Sequence, residues 1–191
     1  MVRTISRVTV VSNSEDQLRE LDHLYQGRVE TAISTPGVIA ELVTDADLLI
    51  GAVLVEGRRA PTVVTREMVR SMQPGSVIVD VAVDQGGCVE TTRPTDHDHP
   101  IYVEEGVVHY AVPNMPGAVP RTASHVLSAL TLPYALEIAN LGVDEAIHAD
   151  AALRHGVNAY RGQITHPAVA EALGLPYVPI EQAMAAVDEC P

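Results

Sequence analysis

Asp84-Gln85-Gly86-Gly87 closes the apolar run Ser76–Val83 (SVIVDVAV) with a carboxylate, an amide and two glycines. Two readings fit that pattern. Asp and Gly supply the backbone angles of turns, so the stretch reads as a simple reversal. A carboxylate at the carboxyl end of a buried parallel strand also lies where such sheets bind ligands. There it could polarise or protonate a carbonyl or imine, or orient a water. A second cluster, DHDHP at Asp96–Pro100, alternates His97 and His99 with carboxylates. Residues two apart share one side of an extended chain, but no third or fourth ligand accompanies them, so a solvated loop is expected. Cys88, beside the glycines, has no partnered histidine in a known pattern and reads as a small packed side chain. His109 in VVHYAV reads as a satisfied core histidine.

The elements that would position these residues alternate between β-rich runs and helical patterns, the signature of βαβ units on a parallel sheet. Strand candidates are Arg7–Val11, Arg28–Ile33, Asp47–Leu54, Ser76–Val83 and Gly106–Val112. Several are continuous apolar runs, as strands buried on both faces require. Helices fit between them. Ser14 and Gln17 form a capping-box pair ahead of a stripe of Leu18, Leu21, Leu24 and Tyr25. Pro36 opens the next helix at its first position. Thr65 caps REMVRSMQ, which Pro74 and Gly75 terminate. After NMPGAVP the character becomes helical: RTASHVLSALTLPYALEIANLG is one long pattern with a kink expected at Pro133 and an end at Gly142. Shorter helices follow around Asp144–His155 and Pro167–Leu173, and the tail YVPIEQAMAAVDECP reads as a fraying helical end.

Composition narrows the partners. The 191 residues carry 12 basic against 25 acidic side chains, a formal net charge of −13, which argues against nucleic acid and anionic membranes. Phe and Trp are absent, so the core is built from Val, Ala, Leu and Ile, and stacking platforms for bases are lacking. Apolar stretches fall far short of a membrane span. The cysteines Cys88 and Cys190 make no disulfide framework, so a reducing cytoplasm is expected.

A dinucleotide-binding fold opens with a strand, a glycine-rich turn and a helix whose N-terminus holds the pyrophosphate. No G-x-G-x-x-G occurs in the chain. The first strand candidate runs into VVSNSEDQLREL, which looks like the second strand of such a fold, and places Ser12, followed by Asn13, where an acidic residue reads the ribose. The chain thus reads as starting one β-α unit late. In the usual order 3-2-1-4-5-6 the first strand is central, so its loss predicts two strand blocks with a gap between them. The blocks close up, or another segment or chain fills the gap. An unfilled gap leaves unpaired strand edges, from which marginal stability or self-association of the polypeptide follows.

The segments IGAVLVEGRRAPTVVTREMVRSMQPGSVIVDVAVDQGGCVETTRPTDHDHP, GVVHYAVPNMPGAVPRTASHVLSALTLPYALEIANLG and GQITHPAVAEALGLPYVPIEQA closely resemble the alanine dehydrogenase family, whose members interconvert L-alanine with pyruvate and ammonia using NAD. The related transhydrogenase α-subunit domain shares the fold and the PGSVIVD style of strand. It is not expected to carry DQGG followed by NMPGAVP. The resemblance implies an α/β fold: an incomplete Rossmann-like, doubly wound parallel sheet over residues 1–120, followed over 121–191 by C-terminal helices that return towards a catalytic domain.

The resemblance also assigns roles. Asp84 looks like the catalytic residue beside the nicotinamide. Val53, Leu54 and Val81 resemble apolar positions that line the cofactor, Ser34 a hydroxyl near the adenosine, and Asn114 and Met115 the pair that closes over the nicotinamide. Ser12 departs from the family's ribose-binding aspartate. Losing that carboxylate removes a repulsion of a 2′-phosphate, so some tolerance of NADP is implied, with Arg19 as a helper. The family's substrate-domain lysine and histidine have no counterpart among these residues. The expected activity is therefore NAD-linked, reversible oxidative deamination of L-alanine, silent in this portion alone. The alternatives are a non-catalytic nucleotide-binding remnant, one subunit of a split enzyme and a transhydrogenase α-subunit-like NAD-binding domain. A homo-oligomer, or a partner supplying an N-terminal half, is the expected assembly.

Overall fold

The computed structural model describes residues 6–55 and 57–185 and divides the chain into two compact units. The first comprises residues up to Val53 together with Ala60–Pro113; the second comprises Leu54–Arg59 and the residues from Asn114 onward. The first unit alternates strands and helices: β1 (Thr9–Ser12), α1 (Glu15–Tyr25), β2 (Glu30–Ile33), α2 (Pro36–Val43), β3 (Leu48–Gly51), α3 (Arg66–Ser71) and β4 (Val77–Asp80). A hairpin of β5 (Ile101–Glu104) and β6 (Val107–Tyr110) completes it.

The strands form two blocks. β1 pairs in parallel with β2, and a separate four-stranded sheet has the order β3-β4-β6-β5, parallel except for the β5–β6 hairpin. Among the described residues, β1 and β2 pair with no strand of the four-stranded sheet, so the strands stand in two separate blocks, as expected from the sequence.

Local signals start the helices. Ser14 accepts the Gln17 N–H, Thr35 accepts the Val38 N–H ahead of Pro36, and Thr65 accepts the Met68 N–H. Each satisfies one donor that the first helical turn leaves free. The expected box at α1 is only half formed, because Gln17 Oε1 accepts instead from Ser12 Oγ at 3.1 Å. The first-unit core joins Val43 of α2, Val69 of α3, Ile78 of β4 and Val107 of β6 with Ala82, Cys88 and Val89.

Two elements differ from expectation. β4 stops at Asp80 rather than Val83, because the Asp80 carboxylate accepts the Ala82 N–H and opens a 3₁₀ turn over Val81–Gln85. β5 was not foreseen: it follows the acidic DHDHP loop and reverses through Glu105 and Gly106, both at positive φ (53° and 79°). Two successive left-handed residues are what a tight antiparallel hairpin needs. Inside that loop Asp96 accepts the N–H groups of Asp98 and His99 at 2.9 and 2.6 Å, a turn held by its own side chain.

The second unit is mostly helical. It contains α4 (Pro120–Leu141), α5 (Val143–Ala149), α6 (Ala151–His155), the short pair β7 (Ala159–Tyr160) and β8 (Gln163–Ile164), α7 (Pro167–Leu173) and α8 (Ile180–Ala185). α4 runs through Pro133 as one element and ends at Gly142, whose φ is 81°. A small core of Ile147, Tyr160, Ile180 and Ala183 holds this unit, and Tyr160 donates to Asp144 Oδ1 at 2.7 Å. Cys190 lies outside the described residues.

Candidate functional site

The carboxyl ends of the parallel strands carry the expected residues in two groups. Ser12 ends β1 opposite Ile33, and its carbonyl accepts the Ser34 N–H at 2.9 Å, so the two serines occupy adjacent strand ends. Ser12 Oγ is already engaged: it accepts the Ser14 N–H at 3.1 Å and donates to Gln17 Oε1. Arg19, the expected helper, pairs with Glu15 at 2.8 Å and lies 3.8 Å from Asp16, so its charge is met within its own helix.

The second group is built around one buried carboxylate. Asp80, with no solvent exposure, ends β4 opposite Gly51 of β3. Its Oδ2 accepts from Cys88 N at 2.9 Å, Val89 N at 3.2 Å and Thr92 Oγ1 at 2.7 Å. Its Oδ1 accepts from Ala82 N at 3.0 Å and from Cys88 Sγ at 3.4 Å. A charge in an apolar interior is tolerable only when its acceptor positions are filled like this. The chain folds back onto Asp80 through Gly86 and Gly87, both left-handed at φ 94° and 78°. A Cβ at Gly87 would lie 3.0 Å from Asp80 Oδ2 and from Thr92 Cγ2, and one at Gly51 only 2.5 Å from Cys88 Sγ. These glycines therefore let the backbone close around the carboxylate.

That closure fixes the turn on which Asp84 stands. Asp84 is exposed and its carboxylate has no hydrogen bond or ion pair to another described residue. Val81, 47% exposed, precedes it on the same turn, and Val53 after β3 packs half-buried against the core. Gln85 anchors the turn by accepting the Ala60 N–H at 2.8 Å on its carbonyl, while its side-chain Oε1 is buried without a partner among the described residues. Leu54, Asn114 and Met115 belong to the second unit. Leu54 is exposed; Asn114 takes a left-handed φ of 55° and opens a 3₁₀ turn over Met115–Ala118.

Cys88 is fully buried, and burial, reinforced by the Asp80 charge, pushes its thiol up to about 12. It is a protonated packing group and a donor. His109 is buried between Thr91 Oγ1 at 2.7 Å and the Val107 carbonyl at 3.0 Å, and stacks on Tyr102. Among the described residues no group of three or more His, Cys, Asp or Glu is placed to hold a metal.

Asp80 is the residue that sequence reasoning missed. It sits inside an apolar run that reads as strand. The signal was available, because a carboxylate within SVIVDVAV can only be buried if donors surround it.

Residues 2–167 match the family model for the alanine dehydrogenase/PNT C-terminal domain. The chain belongs to this family. The alanine dehydrogenase of Bacillus subtilis is 54% identical over 178 residues, covering 93% of this chain and 47% of that protein. The alanine dehydrogenase of Methanococcus maripaludis is 50% identical over 180 residues, covering 94% and 48%. A solved L-alanine dehydrogenase superposes with a TM-score of 0.77 at 50% identity, over 88% of this chain and 46% of the other. A transhydrogenase from Sinorhizobium meliloti gives 0.64 at 28% identity, over 85% and 43%. The chain thus spans about half the length of its alanine dehydrogenase/PNT relatives. Its mixed α/β architecture with parallel strands is that of the solved L-alanine dehydrogenase. No helix among the described residues is long and apolar enough to cross a membrane.

Proposed function

We infer that this chain is the nicotinamide-nucleotide-binding portion of an alanine dehydrogenase-type oxidoreductase acting on L-alanine, pyruvate and ammonia. The observation that carries this reading is the Asp80-locked turn, which holds an otherwise unpaired Asp84 carboxylate just beyond a parallel strand end. The residues present are compatible with the nicotinamide side of such a cofactor: Val81 on the same turn as Asp84 is exposed, Val53 after β3 is half-buried, and Gln85 beside Asp84 has an Oε1 acceptor with no partner among the described residues. The bound nucleotide supplies hydride transfer; the protein orients it and sets the charge around it. Asp84 holds or moves a proton at the reacting carbonyl or imine, or orients the water that attacks it. Val53, Leu54 and Val81 exclude water from the ring, Ser12 and Ser34 hold the adenosine end, and Asn114 and Met115 cover the nicotinamide.

The nucleotide is NAD by relationship. The absence of a carboxylate at Ser12 leaves room for NADP, although the engaged Arg19 adds nothing to that preference. The chain contains no lysine and no glycine-rich phosphate cradle. The substrate-binding lysine of such an enzyme therefore comes from another segment or subunit, and the functional assembly is a homo-oligomer or a complex with an amino-terminal half. The reading places the protein in the cytoplasm.

The test is alanine-dependent NADH formation by the purified chain, alone and mixed with the amino-terminal half of the Bacillus subtilis relative. The expected result is silence alone and activity on mixing. NADH fluorescence on titration reports binding separately. No NADH binding with or without that half would favour a non-catalytic remnant.

A further inference from the structure

The β5–β6 hairpin carries a pair of rings that the proposed chemistry leaves unused. Tyr102 and His109 stand opposite each other in the antiparallel register and stack with centroids 4.9 Å apart and planes 18° from parallel. His109 is buried, with Nδ1 3.0 Å from the Val107 carbonyl and Nε2 2.7 Å from Thr91 Oγ1. A carbonyl only accepts, so in the neutral ring Nδ1 carries the proton and the Thr91 hydroxyl donates to Nε2. Tyr102 holds the same segment. Its hydroxyl accepts the Arg93 N–H at 2.9 Å and donates to the Thr91 carbonyl at 2.9 Å. Two side chains of the hairpin thus engage Thr91 twice and Arg93 once.

Between those two held residues stands Thr92. Its hydroxyl donates to Asp80 Oδ2 at 2.7 Å, the shortest bond that carboxylate accepts. A hydroxyl bonded to a buried carboxylate is among the stronger hydrogen bonds, and bonds linked in a low-dielectric interior reinforce one another. Asp80 Oδ1 in turn accepts the Ala82 N–H, inside the turn over Val81–Gln85 that carries Asp84. We propose that Tyr102 and His109 are positioning residues for Asp84: they grip Thr91 and Arg93, and through Thr92 and Asp80 they hold the turn that presents the Asp84 carboxylate. Neither ring is bonded to Asp84, so the effect passes through Thr92 and Asp80. The consequence for turnover rests on the reading of Asp84 given above, whereas the grip itself stands without it.

Cys88 reports the grip, because it is fully buried and both its N–H and its thiol donate to Asp80. The experiment follows its alkylation by iodoacetamide in native, mildly alkaline buffer, using the full chain with Cys190→Ser so that Cys88 is the sole thiol. Urea denaturation in the same buffer gives the global stability of each protein. Tyr102→Phe keeps the stack and removes both hydroxyl bonds; His109→Phe keeps the stack and leaves Thr91 Oγ1 without its partner. Each is expected to label about tenfold faster than its global stability accounts for, with little acceleration by low urea, as local opening requires. Val43→Ala, a core truncation on α2, labels only as fast as its global stability dictates. In the mixture with the amino-terminal half, both ring variants lower turnover about tenfold while KM for alanine and NADH binding stay within about threefold. Labelling that tracks global stability in Tyr102→Phe overturns the proposal, and that variant decides alone if His109→Phe does not fold. Faster labelling with wild-type turnover in an active mixture also overturns it. A mixture in which even the wild-type chain is silent counts against the enzyme reading, and labelling then decides the grip by itself.

Discussion

Replacing Asp80 separates the account of the turn from a reading of DQGG as an ordinary loop. The carboxylate is fully buried and accepts from three backbone N–H groups, one hydroxyl and one thiol. Asp80→Asn keeps the shape. With its amide oxygen in the Oδ2 position it still accepts from Cys88 N, Val89 N and Thr92 Oγ1, and its NH₂ can donate to the Cys88 sulfur. Only the Ala82 N–H then faces a donor, a cost of about 1–3 kcal/mol. Asp80→Ala strands all three N–H groups. Thr92 can rotate to water, and partial relaxation of the turn recovers some of the rest, leaving a loss of about 3–6 kcal/mol. Against a typical domain stability of about 5–15 kcal/mol, that brings the first unit close to unfolding. Urea denaturation followed by circular dichroism measures the ranking. An Asp80→Ala protein within about 1 kcal/mol of wild type would refute the reasoning. So would an Asn variant as unstable as the Ala variant.

Other expectations follow from single features. Gly87→Ala forces a left-handed φ on alanine and pushes its Cβ against Asp80 and Thr92; the expected loss is about 1–3 kcal/mol, read as a lowered Tm. Cys88, buried and with its thiol pushed up to about 12, stays unmodified by a thiol reagent at pH 8 until the chain is unfolded in urea. Glu105 is held below the usual carboxylate range by its hydrogen bonds to Arg70 and Arg66. A depressed folded-state value contributes stability above the unfolded carboxylate's titration that is lost as pH falls through the folded value. Acid melts of wild type therefore steepen below the ordinary carboxylate range, and Glu105→Gln flattens that part of the profile.

Much of the fold was legible because its signals are local. Thr65 and Pro36 mark helix starts wherever they occur, and the apolar runs Asp47–Leu54 and Ser76–Val83 read as parallel strands, formed as Leu48–Gly51 and Val77–Asp80. Burial on both faces was not met at the first, where Leu48 and Ile50 are exposed. The two-block sheet was legible too, since it follows from the order of β-α units. What sequence reasoning lost were features decided by contacts between distant residues. Asp80 ends its strand because Cys88, Val89 and Thr92 return to it, and no window around Val77–Asp80 contains them. β5 depends on pairing with β6, where Tyr102 stacks on His109 and bonds to the Thr91 carbonyl. At the candidate site the chemistry-bearing type, Asp84, was visible at once. The residue that holds its turn was not, because apolar periodicity hides a carboxylate whose donors lie elsewhere.

The central claim is that Asp84 does chemistry on a turn that Asp80 builds. The most direct measurement is alanine-dependent NADH formation by Asp84→Asn mixed with the amino-terminal half of the Bacillus subtilis relative, beside wild type in the same mixture. Asp84 is exposed and unpaired among the described residues, so the variant keeps the wild-type Tm and binds NADH within a few-fold. Its turnover is expected to fall about 10²–10⁴-fold, the range for a lost general acid or base. Wild-type turnover from Asp84→Asn would contradict the account.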